Sequence, residues 1–118
     1  MLFIEDDRAA RDGYAAYLAG SGYEVLPAAT GQSALKLAAE WTPDLIVLDL
    51  GLPDIDGWEV ARQLKAAPAT ANIPIIALTG ADLRHEVVSA MRAGCDLHIS
   101  KPCEPAALID AIRRLLGD

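Results

Sequence analysis

Five short apolar runs alternate with stretches of helical periodicity, and this alternation constrains the fold more than any other feature of the chain. The runs are Leu2-Phe3-Ile4, Glu24-Val25-Leu26 (closed by Pro27), Leu45-Ile46-Val47-Leu48, Ile75-Ile76-Ala77-Leu78 and a weaker Leu97-His98-Ile99. Between them the apolar residues recur at helical spacing. Ala10, Tyr14, Tyr17 and Leu18 form a first stripe, ended by Gly20 and Gly22. Ala34, Leu35, Ala38 and Trp41 form a second, stopped before Pro43, with Trp41 expected to cover the core at the helix end. Val60, Ala61 and Leu64 form a third, and Val87, Val88 and Met91 a fourth that ends at Gly94. Pro105 opens a fifth that carries Leu108, Ile109, Ile112, Leu115 and Leu116; proline suits a first helical position because its missing N–H had no partner there. Strands that alternate with helices, the middle ones continuously apolar, imply an α/β fold whose parallel sheet is covered on both faces. The doubly wound strand order 2-1-3-4-5 fits this count, and ligands in such sheets bind beyond the carboxyl ends of the strands, at the switch point between strands one and three.

Length and charge narrow the function. At 118 residues the chain reads as one domain spanning 1–118. A net charge of −7 and a pI of about 4.6 argue against a nucleic-acid surface and against docking on anionic membranes. Cys95 and Cys103, eight residues apart, form neither a redox pair nor half a zinc site, and read as reduced thiols of a cytosolic protein. Acidic residues begin at Glu5, which excludes a secretory leader over those residues, and no apolar run approaches the ~20 residues of a membrane span. A cytoplasmic protein is expected.

The residues that end the strands carry the chemistry. Strand one ends in Glu5-Asp6-Asp7, strand three in Asp49, strand four in Thr79 and strand five in Lys101. All should converge on one sheet edge, with Asp6 and Asp49 a few Å apart. Two carboxylates ~5 Å apart repel by about 3 kcal/mol at an effective dielectric of ~20. Either protonation with raised pKa values or a divalent cation relieves this. An all-oxygen site with few protein ligands suits Mg²⁺, or Mn²⁺, which keeps several waters and meets phosphate oxygens. A lysine ammonium and a threonine hydroxyl beside it complete a pocket for a phosphoryl group carried on a carboxylate. Each residue alone has a plain structural reading: a strand-end Asp as a turn or cap, Thr-Gly as a turn, Lys-Pro as a solvated pair. Their occurrence together, in order, one at each appropriate strand end, is the informative observation.

Glu5-Asp6-Asp7, Asp49 within LIVLDLGLPDIDG, Thr79 within PIIALTG, and Lys101-Pro102 together resemble the receiver domain of bacterial two-component response regulators. The intervals of 43, 30 and 22 residues between Asp6, Asp49, Thr79 and Lys101 are close to the family's, and the resemblance covers essentially the whole chain. It implies a flavodoxin-like (βα)5 fold and a phosphoacceptor switch rather than an enzyme, one that at most catalyses its own phosphorylation and slow dephosphorylation. Asp49 is then the phosphoacceptor, supplied by a histidine kinase or a histidine phosphotransfer protein. Asp6, Asp49 and the main-chain carbonyl of Gly51 hold Mg²⁺, with Glu5 acting through a metal-bound water. Lys101 pairs with the phosphoryl group, its bond to Pro102 is cis, and Thr79 moves toward the phosphate. That motion repacks the face made by the fourth helix, the fifth strand and the fifth helix. The exposed side of the first helix, with Ala10, Arg11 and Tyr14, is implied to dock the donor.

One position departs from the family pattern. Three residues before Lys101, where the family often carries Tyr or Phe, stands His98, either a surface histidine of an edge strand or a polar switch. Gly51 and Ala81, at positions that tune phosphoryl lifetime in the family, are both small. Only four residues precede Glu5, so the chain reads as a piece of a longer protein or as one with a poorly ordered start; with no effector after the last helix, it is expected to stand alone or to be cut from kinase or output domains. The same residues admit three rival readings. A phosphatase DxD motif is mimicked by Asp54-Ile55-Asp56-Gly57, but Pro53 precedes it and the apolar run has already ended at Asp49. A flavin site would need a phosphate loop where the acidic triplet stands. The remaining alternative is a phosphorylation-independent interaction domain of the same fold.

Overall fold

The computed structural model describes residues 1–80, 88–89, 91–101 and 104–117. Its elements follow the sequence alternation: β1 (Leu2–Ile4), α1 (Arg8–Gly20), β2 (Leu26–Ala28), α2 (Gly31–Trp41), β3 (Ile46–Asp49), α3 (Gly57–Ala66), β4 (Ile75–Thr79), β5 (Leu97–Ser100) and α4 (Pro105–Leu116). Here α4 is the fifth helix expected from sequence. Of the expected fourth, residues 88–89 and 91–92 are helical, and Val87 lies outside the described residues. The five strands form one parallel sheet in the order β2-β1-β3-β4-β5.

Strand residues alternate between two cores. Leu2, Ile4, Ile46, Leu48, Ile75 and Ala77 pack with Ala34 and Ala38 of α2 and Val60, Ala61 and Leu64 of α3. On the opposite face Phe3, Val47, Ile76 and Leu78 pack with Leu18 of α1 and with Leu108, Ile109 and Ile112 of α4. Tyr14 stacks on Phe3 with ring centroids 5.6 Å apart. Burial on both faces is why the middle strands read as unbroken apolar runs.

Two expectations are corrected. β2 lies two residues later than expected and contains Pro27 instead of ending before it. The Leu26 N–H donates to the Met1 carbonyl and the Ala28 carbonyl accepts from Glu5 N–H, so the intervening residue faces away from β1. At a sheet edge the N–H that proline lacks is not missed. Trp41 does not cover the core: it ends α2 with 63% of its surface exposed.

The turn from β3 into α3 is closed on itself. Gly57 N–H donates to the Leu50 carbonyl, and a Cβ at Gly57 would stand 2.4 Å from the Leu50 Cα. That contact is with backbone and cannot be relieved by a rotamer change. Gly57→Ala is therefore expected to destabilise the domain by about 2–3 kcal/mol, read as a lower urea midpoint at unchanged slope.

Candidate functional site

Because the strands are parallel, their carboxyl ends share one edge, and the residues singled out by sequence arrive there together. Glu5 follows β1, Asp49 ends β3, Thr79 ends β4 and Lys101 follows β5. Register fixes their relative heights: Asp49 pairs with Leu78 and Thr79 with Ser100. Glu5, Asp49 and Thr79 are buried and Asp6 is exposed. Glu5, Asp6 and Asp49 each offer an oxygen within 4.8 Å of the others. Lys101 Nζ lies 3.1 Å from Glu5 Oε1 and 3.1 Å from Asp49 Oδ2. The Gly51 N–H donates to Asp49 Oδ1 at 3.1 Å, and the Lys101 N–H donates to the Thr79 carbonyl at 2.6 Å.

The three charged side chains of this pocket hold one another in unequal states. Burial, reinforced by a hydrogen bond to Asp49 and by its charge, pushes the Glu5 carboxyl up to about 8, against the pull of Lys101. Burial also works against ionisation of Asp49. Hydrogen bonds from Glu5, from Gly51 N–H and from Lys101 together outweigh it and hold Asp49 below the usual carboxylate range. Burial opposes the charge on Lys101, but Asp49 and Glu5 raise its pKa above the ordinary value. Glu5 Oε2 is buried without a hydrogen-bond partner. An orphaned carboxylate oxygen beside two further carboxylates, all hard oxygen donors, fits a divalent cation with retained waters.

The other expected residues separate. His98 is exposed on the edge strand β5. Pro102, whose peptide bond is expected to be cis, lies outside the described residues, as do Ala81 and Cys103. Trp58, the second residue of α3 and not singled out above, is half-buried and packs against the core. Arg11, implied to dock a donor, is half-buried, and its Nη1 donates to the carbonyl of Glu5 at 3.0 Å and of Asp6 at 3.3 Å. Asp54 is a cap rather than a catalytic acid. It accepts from the N–H groups of Gly31 and Gln32 at 2.8 and 3.0 Å, while Thr30 serves Ser33 N–H in a capping box. The roles of Arg11 and Asp54 escaped the sequence reading. Thr30-x-x-Ser33 marks the helix start that Asp54 serves, but nothing local says that a residue over twenty positions away would reach it.

The raised Glu5 pKa has a stability consequence of definite sign. A carboxyl that binds its proton more tightly when folded adds stability that is full below its unfolded value of 4.5 and is lost as pH rises through about 8. Without divalent cations, the domain is expected to lose about 1–3 kcal/mol of Glu5-linked stability between pH 5 and pH 9. Thermal melts of wild type and Glu5→Gln across that range check it: the difference between the two should follow this fall.

Comparison with known proteins agrees with the geometry. The family described as "Response regulator receiver domain" matches residues 1–113. The transcriptional regulatory protein AfsQ1 of Streptomyces coelicolor is 41% identical over 98% of this chain, which spans 50% of AfsQ1. The polar-differentiation response regulator DivK of Brucella ovis is 34% identical over the whole chain and 96% of DivK. Among solved structures, a CheY-like response regulator receiver domain protein from Methanospirillum hungatei superimposes with a TM-score of 0.92 at 30% identity, over 98% of this chain and 91% of that one. The receiver domain of the sensor histidine kinase PA1611 of Pseudomonas aeruginosa, solved with magnesium coordinated in its active-site cleft, gives 0.91 at 31% identity, over 99% and 96%. With the strand order, the edge pocket and these relatives in agreement, this chain belongs to the receiver domain family of response regulators.

Proposed function

We propose that the domain is a phosphoacceptor switch that takes a phosphoryl group onto Asp49 from a phosphohistidine of a histidine kinase or a histidine phosphotransfer protein in the cytoplasm. The observation that carries this reading is Lys101 Nζ, 3.1 Å from both Glu5 and Asp49 in a pocket whose third carboxylate is Asp6. Asp6, Asp49 and the Gly51 main-chain carbonyl would hold Mg²⁺ or Mn²⁺, and Glu5 would act through a water. When bound, the cation supplies positive charge against the phosphoryl oxygens.

An Asp49 carboxylate oxygen attacks phosphorus, the P–N bond breaks, and the leaving imidazole nitrogen keeps the electron pair and takes a proton. Asp49 suits the task because its lowered pKa keeps it ionised near neutral pH. Gly51 N–H orients the carboxylate through Oδ1. Phosphorylation adds about two negative charges, and Lys101 pairs with a phosphoryl oxygen. The Thr79 hydroxyl donates to another. The backbone link from Lys101 N–H to Thr79 couples their movements, so β5, the helix before it and α4 repack as the output face. The domain acts at most on its own phosphoryl group and turns over no other substrate.

Intact mass after incubation with acetyl phosphate and Mg²⁺ is expected to show one phosphoryl gain, absent in Asp49→Asn and abolished by a chelator. No gain with either acetyl phosphate or phosphoramidate would refute the phosphoacceptor assignment. Lys101→Ala is expected to take up phosphate slowly, by tenfold or more, and to show none of the phosphorylation-dependent chemical-shift changes of wild type in β5 and α4. A wild-type response would remove Lys101 from the mechanism.

A further inference from the structure

We propose that Arg11 is a positioning residue for the cation site: it sets the direction of the Asp6 carboxylate by clamping the two peptide units that flank it. The inference rests on the cation-binding reading above and concerns a residue that touches neither cation nor phosphoryl group.

Asp6 is exposed, so packing does little to hold its side chain. The direction of its Cα–Cβ bond follows from the two peptide planes on either side. The carbonyl of Glu5 belongs to the first and the carbonyl of Asp6 to the second. Arg11 Nη1 donates to both, at 3.0 and 3.3 Å. One guanidinium nitrogen thus fixes the planes that determine φ and ψ of Asp6. The next residue is tied to the same helix turn: Asp7 is the N-cap of α1, its Oδ2 accepts from Ala10 N–H at 2.9 Å and its carbonyl accepts from Arg11 N–H at 2.8 Å. On the other side, Glu5 N–H donates to the Ala28 carbonyl of β2. The segment 5–7 is therefore anchored at its flanks by backbone and cap, and at its centre by Arg11. A rigid guanidinium suits this role, because both acceptors are neutral carbonyls and the donor geometry is fixed.

The effect on cation affinity has a sign that separates positioning from simple electrostatics. A guanidinium beside a divalent-cation site repels the cation, so its removal on Coulombic grounds alone would tighten binding. Loss of a clamp on a ligand residue would weaken it. A third role, docking of a protein donor, would leave cation affinity unchanged.

The experiment measures Mg²⁺ dissociation constants by calorimetry on the full chain for wild type, Arg11→Met, Arg11→Lys and Asp96→Ala. Arg11→Met keeps the aliphatic stem and removes the donors. Asp96→Ala removes an acceptor for Ile75 N–H at the opposite end of β4 and controls for general loss of stability. Arg11→Met is expected to weaken Mg²⁺ binding five- to tenfold and to slow acetyl phosphate uptake at subsaturating Mg²⁺, with saturating Mg²⁺ restoring the rate. Arg11→Lys should fall between, and Asp96→Ala should bind as wild type does. Unchanged or tighter binding in Arg11→Met overturns the proposal, as does equal weakening in Asp96→Ala. If wild type itself binds no Mg²⁺, the cation-site reading fails instead, an outcome distinct from a clamp that does not matter.

Discussion

The ammonium of Lys101, set between two buried carboxylates, is the interaction on which the functional end of this domain depends. Three carboxylates within a few Å of one another repel by several kcal/mol, a large fraction of the ~5–15 kcal/mol that stabilises a small domain. Lys101 offsets part of this from a position half in solvent, and a proton on Glu5 offsets more. Asp49, with three donors around it, keeps its charge. The pocket thus sorts two neighbouring carboxyls into one that is ionised, with a lone pair to give to an electrophile, and one that holds its proton near neutral pH. Proton and lysine share the same oxygens, and on the proposed reading a divalent cation would compete with both.

The fold supplies this arrangement through backbone register. Parallel pairing brings the ends of β1, β3, β4 and β5 to one edge, and the sheet's two-sided burial makes that register hard to slip. A shift of one residue in β3 would turn Asp49 toward the other face and send Ile46, Val47 and Leu48 each into the opposite core, where the packing does not fit them. Core packing far from the pocket therefore protects its geometry. The crowding of Gly57 against Leu50 does the same for the loop that carries Gly51, since both ends of that loop are pinned to the chain that leads out of β3.

Strand-end residues were legible in the sequence because each terminates a continuous apolar run and the strand order follows from the alternation. Asp49, Thr79, Glu5 and Lys101 could be brought to one edge on paper, and the structure brings them there. What was not legible depends on contacts that periodicity does not encode. Pro27 looked like a strand terminator, yet the edge position of β2 removes the penalty. Trp41 looked like core by spacing, but the helix ends with that position turned to solvent. Asp54 had no role assigned beyond a loop that only mimics an acid motif, and the approach of α2 makes it a cap. For Arg11 the family resemblance implies a docking face, and its carbonyl contacts are a second role that no spacing announces. The carbonyls that claim it belong to a segment whose path after β1 no sequence pattern specified.

The two cations of the pocket do opposite kinds of work. Lys101 meets the carboxylates through charge, at 3.1 Å, and can transfer that contact to any anion that arrives on Asp49. Among the described residues Arg11 donates to main-chain carbonyls, which an anion arriving on Asp49 does not compete for. On the proposed reading this division lets one end of the site move while the other stays still. Lys101 follows directly on β5, and its N–H is bonded to the Thr79 carbonyl, so displacement of its side chain is transmitted to an edge strand. The outward face of that strand carries His98 and Ser100, both exposed. An edge strand has neighbours on one side only and yields more readily than β3, which is held between β1 and β4. On that reading the element that moves is one paired on a single side only, and its signal would emerge on an open face.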